Sequence, residues 1–299
     1  MTTDAGVVVV MNPGSGGGKV GRFRLVERAG RYGATVRMTG PGQGAAWLAR
    51  QAIENGAAVL GVAGGDGTVS AVAAVATDAG LPLVVIPAGT RNHFARDLGL
   101  DLGDPARALE ALGDGEPVRV DLGMVNSHVF VNNVSFGIYA EALLEPEYRE
   151  AKARTLAAIA PRYLAGQQWV DASVEAPGER IEHPQVVLVS NNAYHLGTPR
   201  YLGRRFTLAS GLLGAIVFKR PAGPPPPDLF VRLRRDLRRH ATGHSAETGI
   251  VAWAAAQVHL IVPSIFSLVV IVAMKAGAEN RLVGGSARGH TSAPTPSGG

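Results

Sequence analysis

"AAVLGVAGGDGTVSAVAAVATDAG", residues 57–80, holds three successive textures. Residues 57–62 are a short apolar run, as a strand covered on both faces should be. Residues 68–80 place Val69, Val72 and Val75 at helical spacing. Between them Gly64, Gly65, Asp66 and Gly67 form a glycine turn. The same rhythm continues on both sides. "VVVVM" (7–11), "ATVRM" (34–38) and "LPLVVI" (81–86) read as further strands. "VGRFRLVERAGRY" (20–32) and "QGAAWLARQAIENG" (43–56), the latter with Trp47, Leu48 and Ile53, read as helices. Strand and helix alternating in this way predict an α/β domain, a parallel sheet with helices on its faces. Ligands of such sheets bind beyond the carboxyl ends of the strands, and the glycine clusters fall there.

From Val118 the rhythm changes. "PVRVDLGMV", "HVFVNNVSFG", "PQVVLVSNN", "RFTLAS" and "LLGAIVFKR" follow as strands, with one helical stretch near 140–168. This predicts a second domain rich in antiparallel sheet. The expected division is 1–124 for the α/β domain, 125–283 for the β-rich domain and 284–299 for a disordered Gly/Ser/Pro tail. "PAGPPPPD" (221–228) is a stiff connector. Residues 248–274 contain no Asp, Glu, Lys or Arg and are long enough to span a bilayer. Gln257, His259 and Pro263, with the β-branched runs "VHLIVPSIF" and "SLVVIV", favour two strands instead.

The chain of 299 residues is 46% hydrophobic and 18% charged, a globular composition for one or two domains. It contains no cysteine, which excludes disulfides, thiolate metal sites and cysteine nucleophiles and fits a reducing compartment. "MTTDAGVVVVMNPG" has no basic region before its short apolar run, so it is a poor secretory signal and the expected location is cytoplasmic. The net charge of +5 does not call for nucleic acid, and it suits an anionic substrate or membrane surface. "DLFVRLRRDLRRH" (228–240) puts Phe230, Leu233 and Leu237 on one helical face among five arginines. Such a stripe fits peripheral contact with anionic lipid, and equally an exposed basic helix.

Two glycine motifs compete for "MNPGSGGGKVG" (11–21). The Walker loop fails, because Pro13 stands at its first glycine and Val20 at its Ser/Thr. The dinucleotide fingerprint is met by Gly16, Gly18 and Gly21, yet no acid lies between Glu27 and Glu54 to hold a ribose. At the 64–68 turn, free N–H groups opening on a helix make a cradle for phosphate oxygens. An aspartate in such a cradle implies an intervening cation or a hydroxyl positioned for attack. The plainer alternative is a tight turn in which Asp66 or Thr68 caps the helix.

The next strand ends in another such turn, "PAGTRNHFARDLGL" (87–100). Together "NPGSGGGK" (12–19), "GGDGT" (64–68), "PAGTRNHFARDLGL" and "FVNNVSFGIYAEAL" (130–143) resemble the diacylglycerol kinase catalytic-domain family over roughly residues 5–220. The last of these is similar to the family's F-x-N-x-x-S-x-G-x-x-A stretch. The resemblance implies an ATP- and Mg²⁺-dependent lipid kinase acting on a diacylglycerol-like hydroxyl. It also implies a fold like NAD kinase and phosphofructokinase, followed by a β-sandwich, with the site in the cleft between them. By motif position, Asn12, Pro13, Gly14, Ser15 and Gly16 would lie along the nucleotide, as would Thr39. Gly64, Gly65, Asp66, Gly67, Thr68, Val69 and Ser70 would hold the phosphates, with Asp66 also the catalytic acid. Thr90 would close the site and Asn92 would stand near the transferred phosphate. Lys19 and Arg91 are either phosphate partners or solvated cations. A homodimer is open, and so are two other readings: an ATP-binding protein that has lost catalysis, and another kinase of this fold.

The chain departs from the family pattern in two places. Where an acidic pair usually holds a structural Mg²⁺, it reads Ala209, Ser210, Gly211. Where a late D-G-E motif supplies a base, Glu279 is the nearby acid and its surroundings do not match.

Overall fold

Val8, Val9, Val10 and Met11 are fully buried in succession and divide between two cores. They belong to strand β1 (Gly6–Met11) of the computed structural model. The structure describes residues 6–126, 128–137, 168–176, 178–195, 203–219, 243–245, 250–255, 257–262, 268–274 and 281–284. β1 pairs in parallel with β2 (Thr35–Met38) on one side and β3 (Ala57–Gly64) on the other, and β3 pairs in parallel with β4 (Leu83–Pro87). Val8 and Val10 face the core completed by α3 (Ala45–Glu54) and α4 (Asp66–Asp78). Val9 and Met11 face the core completed by α1 (Lys19–Arg22), α2 (Leu25–Gly30) and a 3-10 segment, Pro105–Glu110. Covered on both sides, β1 can be all apolar, and each such side chain contributes about 2 kcal/mol by area, an upper bound.

The helix expected over 20–32 is two, broken at Arg24, whose φ of 52° lies in the left-handed region. The buried face of α3 is Leu48, Ala49 and Ala52, while Trp47 is exposed.

Beyond β4 come the short helix α5 (His93–Asp97) and β5 (Glu116–Arg119). "PVRVDLGMV" then passes from one sheet to another, since β6 (Gly123–Val125) and β7 (His128–Phe130) belong to a second sheet with β9 (Ser173–Ala176) and β10 (Glu179–Glu182). β8 (Asn133–Gly137), β11 (Val186–Asn191), β12 (Leu213–Phe218), β13 (Gly243–Ser245) and β14 (Ile250–Ala255) form a third. Both are antiparallel, and Val174, Ile181 and Val258 of one share a core with Val187, Val189 and Val217 of the other. That is a β-sandwich.

Among the described residues of 250–274 lie the two expected strands and one more before them. β14 lies in the third sheet, and β15 (Gln257–Val262) pairs with β16 (Leu268–Met274) in the second. No helix among the described residues is long and apolar enough to cross a membrane. "RFTLAS" (205–210) is not a strand. Its first side chain and its Leu208 carbonyl are spent on other regions, the latter on Asp121 N at 2.6 Å. β17 (Arg281–Gly284) returns to the first sheet, parallel to β4 and antiparallel to β5. The expected helical stretch at 140–168, save its last residue Gln168, the connector at 221–228, the basic segment at 228–240, Glu279 and residues 285–299 lie outside the described residues.

Candidate functional site

Because β1, β3 and β4 are adjacent and parallel, their carboxyl-terminal loops are neighbours. How close they come is set by two glycines. A Cβ on Gly16, at φ 57°, would lie 2.4 Å from the Ala88 carbonyl oxygen. A Cβ on Gly89 would lie 2.2 Å from Gly65 Cα. The three loops touch backbone to backbone, where only glycine fits.

Asn12 ties two of them. Its backbone N–H donates to Ala63 O at 2.9 Å, its Oδ1 accepts from Gly14 N at 3.1 Å, and its Nδ2 donates to Thr68 Oγ1 at 3.4 Å. Thr39 stands at the end of β2 and donates its N–H to Met11 O. No side chain caps the start of α4 at Gly65. Its first-turn amides, Asp66 to Thr68, therefore have no intrahelical acceptor and add the positive end of a thirteen-residue dipole to the loop cluster. Pro13, Gly14 and Thr90 are exposed at the rim, and Ser15 is half-buried.

Asp66 spans the second and third loops. Its Oδ2 accepts from His93 N at 3.2 Å and its Oδ1 from Phe94 N at 3.1 Å, so it caps α5 rather than its own helix. Each carboxylate oxygen keeps a lone-pair direction for a further donor or cation.

Several expected residues are placed otherwise. Val69 is in the core under α4, its N–H held by Gly65 O. Ser70 Oγ accepts from Val131 N at 3.3 Å, linking α4 to the sandwich region. Lys19 Nζ reaches the Leu102 carbonyl at 3.5 Å. Asn92, 3% exposed and at φ 52°, accepts from Gly89 N at 2.8 Å and donates to Pro87 O at 3.2 Å and Gly89 O at 2.8 Å. Its amide braces the turn from within, so a role at a phosphate would have to run through that turn. Asn92→Asp sets a second carboxylate oxygen against two carbonyls. A loss of about 2 kcal/mol is expected in chemical denaturation, from one donor removed and a buried charge created.

Sequence reading missed the polar web behind the cleft. Asn191 Nδ2 donates to Asp121 O at 2.6 Å, and Asn192 Oδ1 accepts from Ser210 N at 2.8 Å. Asp121 Oδ2 accepts from Gly211 N at 2.7 Å. Ser210 and Gly211 thus join this corner to Asp121 and Asn192 by direct hydrogen bonds. The signal available was the pair Asn191 and Asn192 directly after the apolar run "VVLV", where the strand ends buried.

Burial holds the His93 imidazole below its ordinary range, with Arg96 and Arg91 adding to the depression and Asp66 opposing it. The fold therefore disfavours imidazolium. This part of the stability is complete above about pH 6.5, the value of an unfolded histidine, and is lost as pH falls through the lower folded value. Melting temperature is expected to drop between pH 7.5 and 5.5, and by less in His93→Gln.

With three glycine loops in backbone contact and Asp66 of one of them capping α5, similarity to known proteins acquires a meaning. Residues 6–125 match the diacylglycerol kinase catalytic domain. The match covers the α/β part of the chain, with all three glycine loops inside it. "Probable lipid kinase YegS-like" of Chromohalobacter salexigens is 37% identical over 126 residues, 41% of this chain and 39% of that protein. A diacylglycerol kinase of Staphylococcus carnosus is 32% identical over 138 residues, 44% of each. One from Bacillus subtilis is 26% identical over 202 residues, 65% of each. The chain thus matches less than two thirds of these relatives' length. A crystal structure of a diacylglycerol kinase from Bacillus anthracis superimposes with a TM-score of 0.62 at 18% identity, covering 95% of this chain and 98% of that one. That likeness establishes the fold alone, α/β part and sandwich together.

Proposed function

We propose that this protein is a lipid kinase that transfers the γ-phosphate of ATP to the hydroxyl of a diacylglycerol-like lipid. The observation that carries the reading is the backbone contact of the loops at 12–16, 64–68 and 88–92 through Gly16, Gly65 and Gly89, with Asp66 bonded to α5 beside them, within the segment that matches the diacylglycerol kinase catalytic domain. Phosphoryl transfer asks a protein for positioning and charge neutralisation. Here the glycine loops bring backbone amides to the phosphates, the α4 terminus supplies positive potential, and Asp66 faces the same space.

A divalent cation, taken as Mg²⁺, would neutralise phosphate charge. Among the described residues no group of three or more His, Cys, Asp or Glu could hold a metal by itself. Asp66 fits the alternative, since Mg²⁺ is commonly held by one or two carboxylates with phosphate oxygens and water for the rest. The acceptor is a membrane lipid, so the cleft works at a membrane surface, from the cytoplasmic side.

The test is incubation with labelled ATP, Mg²⁺ and diacylglycerol in mixed micelles, alongside a total lipid extract, followed by chromatography. Labelled phosphatidate, or another labelled lipid from the extract, is expected. ATP binding with no labelled lipid overturns the reading and favours a nucleotide-binding protein without catalysis. The engagement of both Asp66 oxygens by α5 is the observation on that side.

A further inference from the structure

Arg205 lies between the kinase domain and the sandwich with none of its side chain exposed. Four of its five N–H bonds have acceptors. Nε donates to Asp97 Oδ2 at 2.7 Å, one terminal nitrogen to Val131 O at 2.7 Å and Asn191 O at 2.8 Å, and the other to Asn132 Oδ1 at 2.7 Å. Its guanidinium also lies 5.9 Å from the ring centroids of Phe94 and Tyr194. Asp97, 1% exposed, takes Arg96 on its other oxygen at 3.1 Å.

Asp97 is the last residue of α5, and the first two, His93 and Phe94, are bonded to Asp66. A helix of five residues has little cohesion of its own. Its position is therefore set by what grips its ends: the loop carboxylate Asp66 at one and Arg205 at the other. Arg205 in turn is fixed to β7–β8 and the end of β11. A buried ion pair adds little net stability over an apolar pair of the same shape, whereas it holds charge and direction strictly.

We propose that Asp97 and Arg205 are a positioning pair. They lock α5, and through it Asp66 and the Gly89–Asn92 brace, to the sandwich side of the cleft. The catalytic consequence rests on the lipid kinase reading, while the mechanical coupling does not.

Asp97→Asn, which keeps an acceptor for Arg205, and Arg205→Lys test it by amide hydrogen exchange without nucleotide. In both variants the amides of His93 and Phe94 are expected to exchange about tenfold faster or more, together with those of Val131 and Asn192, while β1 and β3 amides stay within about twofold. Acceleration confined to the surroundings of residue 205, or spread evenly through β1 and β3, overturns the proposal. In lipid phosphorylation, kcat is expected to fall about 30-fold or more with KM for ATP within about threefold. A merely structural pair would leave kcat per folded molecule unchanged, which also overturns it. If the unaltered protein labels no lipid, the kinase reading fails and the exchange result still decides the coupling.

Discussion

Gly89→Ala is expected to open the loop cluster and abolish nucleotide binding at millimolar ATP. The new methyl carbon would stand 2.2 Å from Gly65 Cα, 2.8 Å from Gly65 N and 2.6 Å from Asn92 Oδ1. Carbon atoms at rest approach to about 3.5–4.0 Å, so the third loop must retreat by more than an ångström. Nothing there yields easily. Gly65 is backbone at the start of α4, and the Asn92 amide is held by three hydrogen bonds. Overpacking against such walls costs about 3 kcal/mol. A misplacement of this size also weakens a positioned site by about a hundredfold. Denaturant unfolding and an ATP-dependent melting shift check the two effects. Gly67→Ala is the contrast. Position 67 lies in the first turn of α4 with nothing within 4 Å of a Cβ, so alanine there is expected to leave stability unchanged or raise it by up to about 1 kcal/mol. A fall in ATP affinity in that stable variant would report the close approach of a phosphate to the α4 terminus. Unchanged affinity would place the nucleotide elsewhere.

Asp66→Asn is expected to separate two roles of one side chain. Structurally, asparagine retains one acceptor for the α5 amides and turns an NH₂ toward the other, costing about 1–2 kcal/mol. Chemically, it removes the acid in the loop cluster, and loss of a group that holds a cation or takes a proton lowers kcat by about a hundredfold or more. Activity per folded molecule, with the folded fraction fixed by melting temperature, distinguishes the roles. A fall in activity no greater than the fall in folded protein would assign Asp66 to capping alone.

The parallel sheet was legible because period and burial agree. A strand covered on both faces must be all apolar, and β1, β3 and β4 are nearly so. Where an element lies half in solvent, the pattern blurs. β2, at the sheet edge, is half-exposed, and of the face expected for α3 Leu48 is buried and Ile53 packs on the core, while Trp47 is exposed and Ala49 and Ala52 complete the buried side. "PVRVDLGMV" and "HVFVNNVSFG" read as single strands, since local sequence carries no mark of passage between sheets. Both break where the α/β part meets the sandwich. Asp121 N is bonded to Leu208 O, and Val131 O to Arg205 and Asn191. Asn92 illustrates the limit within the site itself. Its motif position implied a place near the phosphate, but the direction of an amide depends on left-handed backbone and on carbonyls three and five residues away.

By itself, the sequence determined the α/β order of the first 120 or so residues and the strand ends at which glycines gather. Both follow from spacing along the chain, which periodicity and turn chemistry record directly. Only the tertiary structure decided that Asp66 grips α5, that Arg205 joins α5 to the sandwich, and that the late strand β17 returns beside β4. The partners in these contacts stand 27, 108 and about 200 residues apart. A single polar side chain reads the same whether water or a distant carboxylate awaits it.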